Sequence, residues 1–185
     1  STLLNQISGM EKPTEGNVWI GNVNITKLKE EQIAAFRQKH IGFIFQTYNL
    51  LPYMTALENT ALPLMFQGYG RGEREKRAAS LLKKVGLAER MYHYPSQMSG
   101  GQQQRVGIAR AFAANPEVIF ADEPTGNLDT KTTAQIMEMM MEIARKKNQT
   151  IVLVTHDPQM AAYADRILTL IDGNIIKEQR REERE

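Results

Sequence analysis

Apolar and polar positions along this chain follow two periods, and the switches between them mark its elements. Ile41-Gly42-Phe43-Ile44-Phe45, Val118-Ile119-Phe120-Ala121 and Thr150-Ile151-Val152-Leu153-Val154 are short, nearly unbroken apolar runs. Runs of that length predict strands buried on both faces. Val18 and Ile20, then Val23 and Ile25, alternate with polar neighbours about Gly21-Asn22, which predicts a hairpin within 16–26. Arg166–Ile171 and Asn174–Glu178 flank Asp172-Gly173 and predict a second one.

Helical periodicity fills the intervals. A short helix begins at the N-terminus and is stopped by Gly9; a polar one spans Glu30–Gln38. Thr55-Ala56-Leu57-Glu58 is a capping box that opens a helix to about Phe66. After a break at Gly68–Gly72, Glu73–Val85 places Ala78, Leu81, Leu82 and Val85 on one face. Ser99 caps a helix to about Ala114, and Asp129 caps Thr130–Lys147, whose Ile136, Met137, Met140 and Met141 read as a core face. Asp157-Pro158 reads as the cap and first residue of another helix, and Lys177–Glu185 as a mixed-charge, frayed tail. Strands alternating with helices predict a three-layer α/β core. Residues 1–47 and 115–178 would form that core, 48–114 an inserted helical subdomain and 179–185 the tail, all in one domain.

Candidate chemistry sits at the ends of these elements. Gly100 and Gly101 after Ser99 let the backbone approach a ligand, and the free N–H groups and dipole of a helix start suit phosphate. Taken alone, a Gly-Gly before a helix is more often only a turn. Asp122 and Glu123 end an apolar strand, where open α/β sheets bind their ligands. An Asp there suits Mg²⁺, and a neighbouring Glu could orient or deprotonate water.

Composition narrows the classes. At 185 residues one core is expected. The chain has no cysteine, which excludes disulfides and thiolate metal sites. A formal net charge of +2 is too small to argue for nucleic acid. Glu73 and Glu75 interrupt the basic cluster Arg71–Arg77, which reads as a solvated helix face. The apolar runs are far shorter than the roughly 18 residues of a membrane span, and no secretory signal is evident, so any membrane link is expected to go through a partner.

Met-Ser-Gly-Gly-Gln-Gln-Gln-Arg at 98–105, followed by Val118-Ile119-Phe120-Ala121-Asp122-Glu123-Pro124-Thr125-Gly126-Asn127-Leu128-Asp129, resembles the signature, Walker B and D-loop motifs of the ABC ATPases. The resemblance extends from Ser1 to about Lys177 and implies a P-loop NTPase fold with the helical insertion. Within the family, FQTYNLLP, ALENTALPL and THDPQMAAYAD are similar to the lipoprotein-release, macrolide-export and cell-division subfamily.

The resemblance implies roles residue by residue. Ser1 matches the Mg²⁺-binding hydroxyl of the phosphate loop, and Thr2 the residue after it, facing phosphate; Ser1 could also be an ordinary chain start. Gln46 matches the Q-loop glutamine, near Mg²⁺ and the γ-phosphate. Asp122 would hold Mg²⁺, Glu123 polarise water and His156 contact the γ-phosphate. Ser99, Gly100, Gly101 and Gln102 would bind the ATP of a second copy, and Asp129 would communicate across that homodimer. Tyr48–Leu57 would dock a transmembrane permease, although Leu50, Leu51, Met54 and Leu57 could equally be core.

The implied function is an ATP-binding and ATP-hydrolysing subunit on the cytoplasmic face of the membrane, driving export or lipoprotein release. A non-transporting ATPase of a cell-division type complex, or a non-catalytic fragment, are the alternatives. The family's phosphate-loop glycines and lysine, and its first strands, would precede Ser1. The chain 1–185 taken alone is therefore expected to bind Mg·ATP weakly and hydrolyse none.

Overall fold

The computed structural model describes residues 2–180. It divides into two compact units, one ending at Val154 and one beginning at Thr155.

In the first unit, helix α1 spans Thr2–Ile7, and strands β1 (Trp19–Ile20) and β2 (Val23–Asn24) form the first hairpin. Helix α2 covers Glu30–His40, two residues beyond the expected end, and runs without a gap into β3 (Ile41–Phe45). Three helices follow: α3 (Ala56–Phe66), α4 (Arg71–Lys84) and α5 (Gly100–Ala113). Strand β4 is Val118–Asp122, helix α6 Thr130–Lys146 and strand β5 Thr150–Val154. The expected break at Gly68–Gly72 ends early. Gly70 is the N-cap of α4, so Gly72 lies within its first turn, where the pairs Arg71–Glu75 and Glu73–Arg77 tie successive turns.

The strands β3-β4-β5 form a parallel sheet in that order. Its register sets Ile41 against Val118, Phe43 against Phe120, and Phe120 against Val152. Those residues share one face by the period of two, and that face packs on Leu4, Ile25 and Ile33 from α1, the segment after β2, and α2. The opposite face meets α5. A Cβ on Gly42 would lie 2.5 Å from the Ala111 carbonyl oxygen, so helix and strand approach to a distance only glycine allows. The three layers expected from the sequence are these. One expectation is corrected: Ile151–Val154 are half-buried rather than buried, because β5 is an outer strand of the described sheet.

Helices α3, α4 and α5 pack on one another. Leu57, Leu64, Ala78, Leu82, Val85, Val106 and Ile108 are buried there. Arg105 donates to the Val85 carbonyl at the end of α4. On α6, Ile136, Met137 and Met140 are buried as expected, and Met141 is half-buried.

The second unit holds helix α7 (Pro158–Ala161) and the hairpin β6 (Arg166–Ile171) and β7 (Asn174–Arg180). Asp157 caps α7, accepting from the Gln159 N–H, as the Asp-Pro pair predicts. Strand β7 runs through Arg180, so Lys177–Arg180 belong to the hairpin rather than to the tail. Glu178 bridges Arg166 and Arg180 there.

Candidate functional site

Two places in the first unit gather the candidate residues. The first is the C-terminal end of the sheet. Phe45 pairs in register with Asp122, and Asp122 with Val154, so Gln46 and Glu123 emerge side by side from neighbouring strands. Asp122 is the last residue of β4, one position further into the strand than its sequence predicts. By parity it lies on the face of Phe120, the face that α1 covers. The chain then turns sharply. Glu123 takes a left-handed conformation with φ of 45°, its N–H donates to the Val154 carbonyl, and its carbonyl accepts from the Gly126 N–H.

Gln46 lies against that turn. A Cβ on Gly126 would stand 2.8 Å from Gln46 Nε2, and Asn127 Nδ2 donates to the Gln46 carbonyl at 3.1 Å. Glycine at 126 therefore leaves room for the amide of Gln46. The oxygen donors here, a carboxylate and an amide carbonyl, fit Mg²⁺, which takes one or two protein oxygens and completes its shell with water and phosphate. Among the described residues no group of three His, Cys, Asp or Glu could hold a metal ion. Thr2 opens α1 and is exposed. Ser1 lies outside the described residues.

The second place is the start of α5. Ser99 Oγ accepts from the Gln102 N–H at 3.3 Å, and Gln102 Oε1 accepts from the Ser99 N–H at 3.0 Å, a reciprocal cap. The N–H groups of Gly100 and Gly101 have no acceptor among the described residues. The glycines rest on the start of α6: a Cβ on Gly101 would lie 3.0 Å from Thr132 Cγ2. Asp129 caps α6, taking the Thr132 hydroxyl at 2.6 Å and its N–H at 3.0 Å. The Thr132 hydroxyl first, then its N–H, hold the Asp129 carboxyl below its usual range. An open cleft of about 400 Å³ results, lined by Ser99, Gly100, Gly101 and Gln102 on one side and Asn127, Asp129 and Thr132 on the other. Arg105 and Gln135 close one side, joined by a 3.2 Å hydrogen bond. Gln46, Asp122 and Glu123 do not line it.

His156 belongs to the second unit, where it is exposed and stands two residues beyond β5 in the chain. Thr155 Oγ1 accepts from the Asp157 N–H beside it.

Sequence reasoning missed Gln104. It is fully buried, and its Nε2 donates to the Pro124 carbonyl, one residue past Glu123. The signal was present: Gln104 is a polar residue on the face of α5 that also carries Ile108 and Ala111, and buried polar groups are there to bond something. What it bonds could not be read from the helix alone. Arg105, Thr132 and Gln135 escaped notice for the same reason.

This parallel sheet with carboxylates at its strand ends, beside a capped glycine helix start, is that of an α/β nucleoside triphosphatase of the P-loop class. The ABC transporter family matches residues 1–126. The ABC transporter ATP-binding protein MJ0796 of Methanocaldococcus jannaschii is 47% identical over 97% of the chain and 78% of its own length. The lipoprotein-releasing system ATP-binding protein LolD of Legionella pneumophila is 43% identical over 95% of the chain and 77% of its own. The macrolide export ATP-binding/permease protein MacB of Bartonella henselae is 46% identical over 95% of the chain, which spans 26% of that larger protein. A dimeric structure of MJ0796 in a post-hydrolysis state, bound to ADP and Pi, superposes with a TM-score of 0.88 at 44% identity, over 97% of this chain and 79% of that one. This chain belongs to the ABC transporter family of ATP-binding proteins.

Proposed function

We propose that the chain is the ATP-hydrolysing cassette of an ABC transporter that drives export or lipoprotein release through a membrane permease. One observation carries the reading: the sheet end with Gln46, Asp122 and Glu123 and the cleft at Ser99–Gln102 are lined by different residues of one chain. Each is half of a phosphate site. Two copies arranged head to tail complete both halves, and the dimeric, ADP- and Pi-bound state of MJ0796 supports a dimer.

In this reading Glu123 polarises the attacking water, taking its proton as the oxygen approaches the γ-phosphorus. Gln46 orients that water from the neighbouring strand, and His156 meets the γ-phosphate. The bare N–H groups of Gly100 and Gly101 donate to the γ-phosphate held by the other copy, where charge builds in the transition state. Asp129 sits at the joint between the copies. Asp122 and Gln46, with Ser1, would hold Mg²⁺, which would supply positive charge against the phosphates. Tyr53 is 71% exposed between the half-buried Leu51 and Met54, a surface for the permease. Leu57 of the same stretch is buried and serves the core. Among the described residues no helix is long and apolar enough to cross a membrane. In this reading the permease holds the cassette at the cytoplasmic face.

The test uses the chain preceded by a glycine–lysine phosphate loop ahead of Ser1. Glu123→Gln should bind ATP, accumulate as a dimer and lose turnover; Gly101→Asp should lose turnover with the fold intact. Mixing the two inactive variants should restore turnover, because one mixed site then has an intact Glu123 and an intact Gly101. Turnover undiminished in Glu123→Gln removes the base. A mixture as inactive as its parts removes the shared site.

A further inference from the structure

The chain leaves Gln46 through two consecutive non-glycine residues in the left-handed region, Tyr48 with φ of 60° and Asn49 with φ of 47°. Such a pair is strained and persists only where its surroundings over-determine it. Local bonds do part of this: the Asn49 N–H donates to the Thr47 carbonyl at 2.6 Å and the Thr47 hydroxyl to Asn49 Oδ1 at 3.1 Å. The remainder comes from Arg110 on α5, far along the chain. Its Nη1 donates to the Asn49 carbonyl at 2.5 Å and its Nη2 to the Tyr48 carbonyl at 2.8 Å. No carboxylate pairs with this guanidinium among the described residues, and burial pushes its pKa down. A half-buried charged fork that turns to two peptide carbonyls and to no carboxylate is held there for those carbonyls.

Tyr48 also lies along α5. Its hydroxyl would stand 2.7 Å from a Cβ on Gly100, and its carbonyl 3.7 Å from a Cβ on Gly107. Positions seven apart share one face of a helix, so the two glycines leave a bare strip along which Tyr48 reaches Gly100. Beyond the turn, buried Asn59 takes over. It accepts from the Leu51 N–H and donates to the carbonyls of Leu51, Met54 and Thr55, which fixes the segment carrying Tyr53.

We propose that Arg110 is a positioning residue: it clamps the left-handed Tyr48–Asn49 turn to α5, so that a displacement of the segment 50–53 reaches Gln46 and Gly100 together. The proposal rests on the reading above, in which Gln46 and Gly100 face ATP and the segment 50–53 faces a permease. Lysine cannot replace the clamp, because one ammonium has no planar fork for two carbonyls.

Amide exchange of the chain as it stands tests the clamp without any ATPase activity. Arg110→Lys should speed exchange at 48–51 by about tenfold or more while α3, α4 and β4 keep their protection. Unchanged exchange at 48–51, or a rise spread over the whole fold, overturns the proposal. In the chain preceded by a phosphate loop, Arg110→Lys should lower kcat by on the order of tenfold to a hundredfold with KM for ATP little changed. Adding Asn49→Gly, which takes the left-handed conformation without strain, should recover much of that loss. A raised KM with kcat intact, or a loss that Asn49→Gly does not relieve, also overturns it. Absence of ATPase activity in the unsubstituted chain with the loop would sink the functional reading, and the exchange result would still decide the clamp.

Discussion

Helices α3 and α5 begin with the same device and use it differently. Each has a hydroxyl cap and a reciprocal bond from the third residue: Thr55 with Glu58, Ser99 with Gln102. In α3 the next two residues are Ala56 and Leu57, both buried, and their N–H groups donate to the His93 and Met91 carbonyls at 2.9 and 2.8 Å. The third residue is a carboxylate, which answers the positive end of the helix. In α5 the next two are Gly100 and Gly101, which line the cleft, and the third is the neutral Gln102. Of the first three N–H groups of α5 only that of Gln102 is bonded internally, and no acidic residue in the first turn offsets the dipole. A cap announces a helix start; the size of the next two side chains and the charge of the third decide whether that start is structural or open to an anion.

The comparison breaks most visibly if the first turn of α3 is moved onto α5. Gly100→Ala with Gly101→Leu should cost more than about a thousandfold in ATP turnover, or about 4 kcal/mol of transition-state stabilisation. The fold should persist, since both changes raise helix propensity, although the Tyr48 hydroxyl and the Thr132 methyl must shift. Steady-state hydrolysis beside a thermal melt reads both. Retained turnover would return the glycines to the role of an ordinary turn.

A smaller change exchanges only the third residues. Gln102→Glu sets a carboxylate beside the cleft and should lower turnover about tenfold, or about 1.4 kcal/mol, while leaving stability equal or higher. Glu58→Gln should leave turnover alone and cost about 0.5 kcal/mol in urea unfolding. Equal effects on turnover would mean that the two helix starts do not differ in function.

The smallest effect is one of pH. The Thr55 N–H first, and its hydroxyl, hold the Glu58 carboxyl below its ordinary 4.5. Between the folded and unfolded values the unfolded chain binds more protons. The stability from Glu58 is therefore fully present above about pH 4.5 and is lost as pH falls through the lower folded value. Glu58→Gln should remove that part of the acid limb in unfolding titrations. Gln102→Leu should cost the same at pH 7 and pH 3.5, because the α5 cap has no titrating group. An identical acid limb in Glu58→Gln and the unsubstituted chain would show that the bond to Thr55 is not formed in solution.

The amino-acid sequence alone determined the elements and the family. Both hairpin turns, the bounds of β3 and β5, and the caps at Thr55, Ser99, Asp129 and Asp157 were legible because each depends on residues within about four positions. The motif from Val118 to Asp129 was legible for the same reason, and with Met98–Arg105 it named the ATPase. Only the tertiary structure decided which carbonyl Gln104 reaches, which carbonyls Arg110 holds, that Gly42 lets α5 touch β3, and that Asp122 shares the face covered by α1. It also decided that β5 is half-buried, since an apolar run reads alike in a central and an outer strand. The physical reason is range. Periodicity and capping are fixed by neighbours in the chain, whereas a side chain's partner across 20 or 61 positions is chosen by packing.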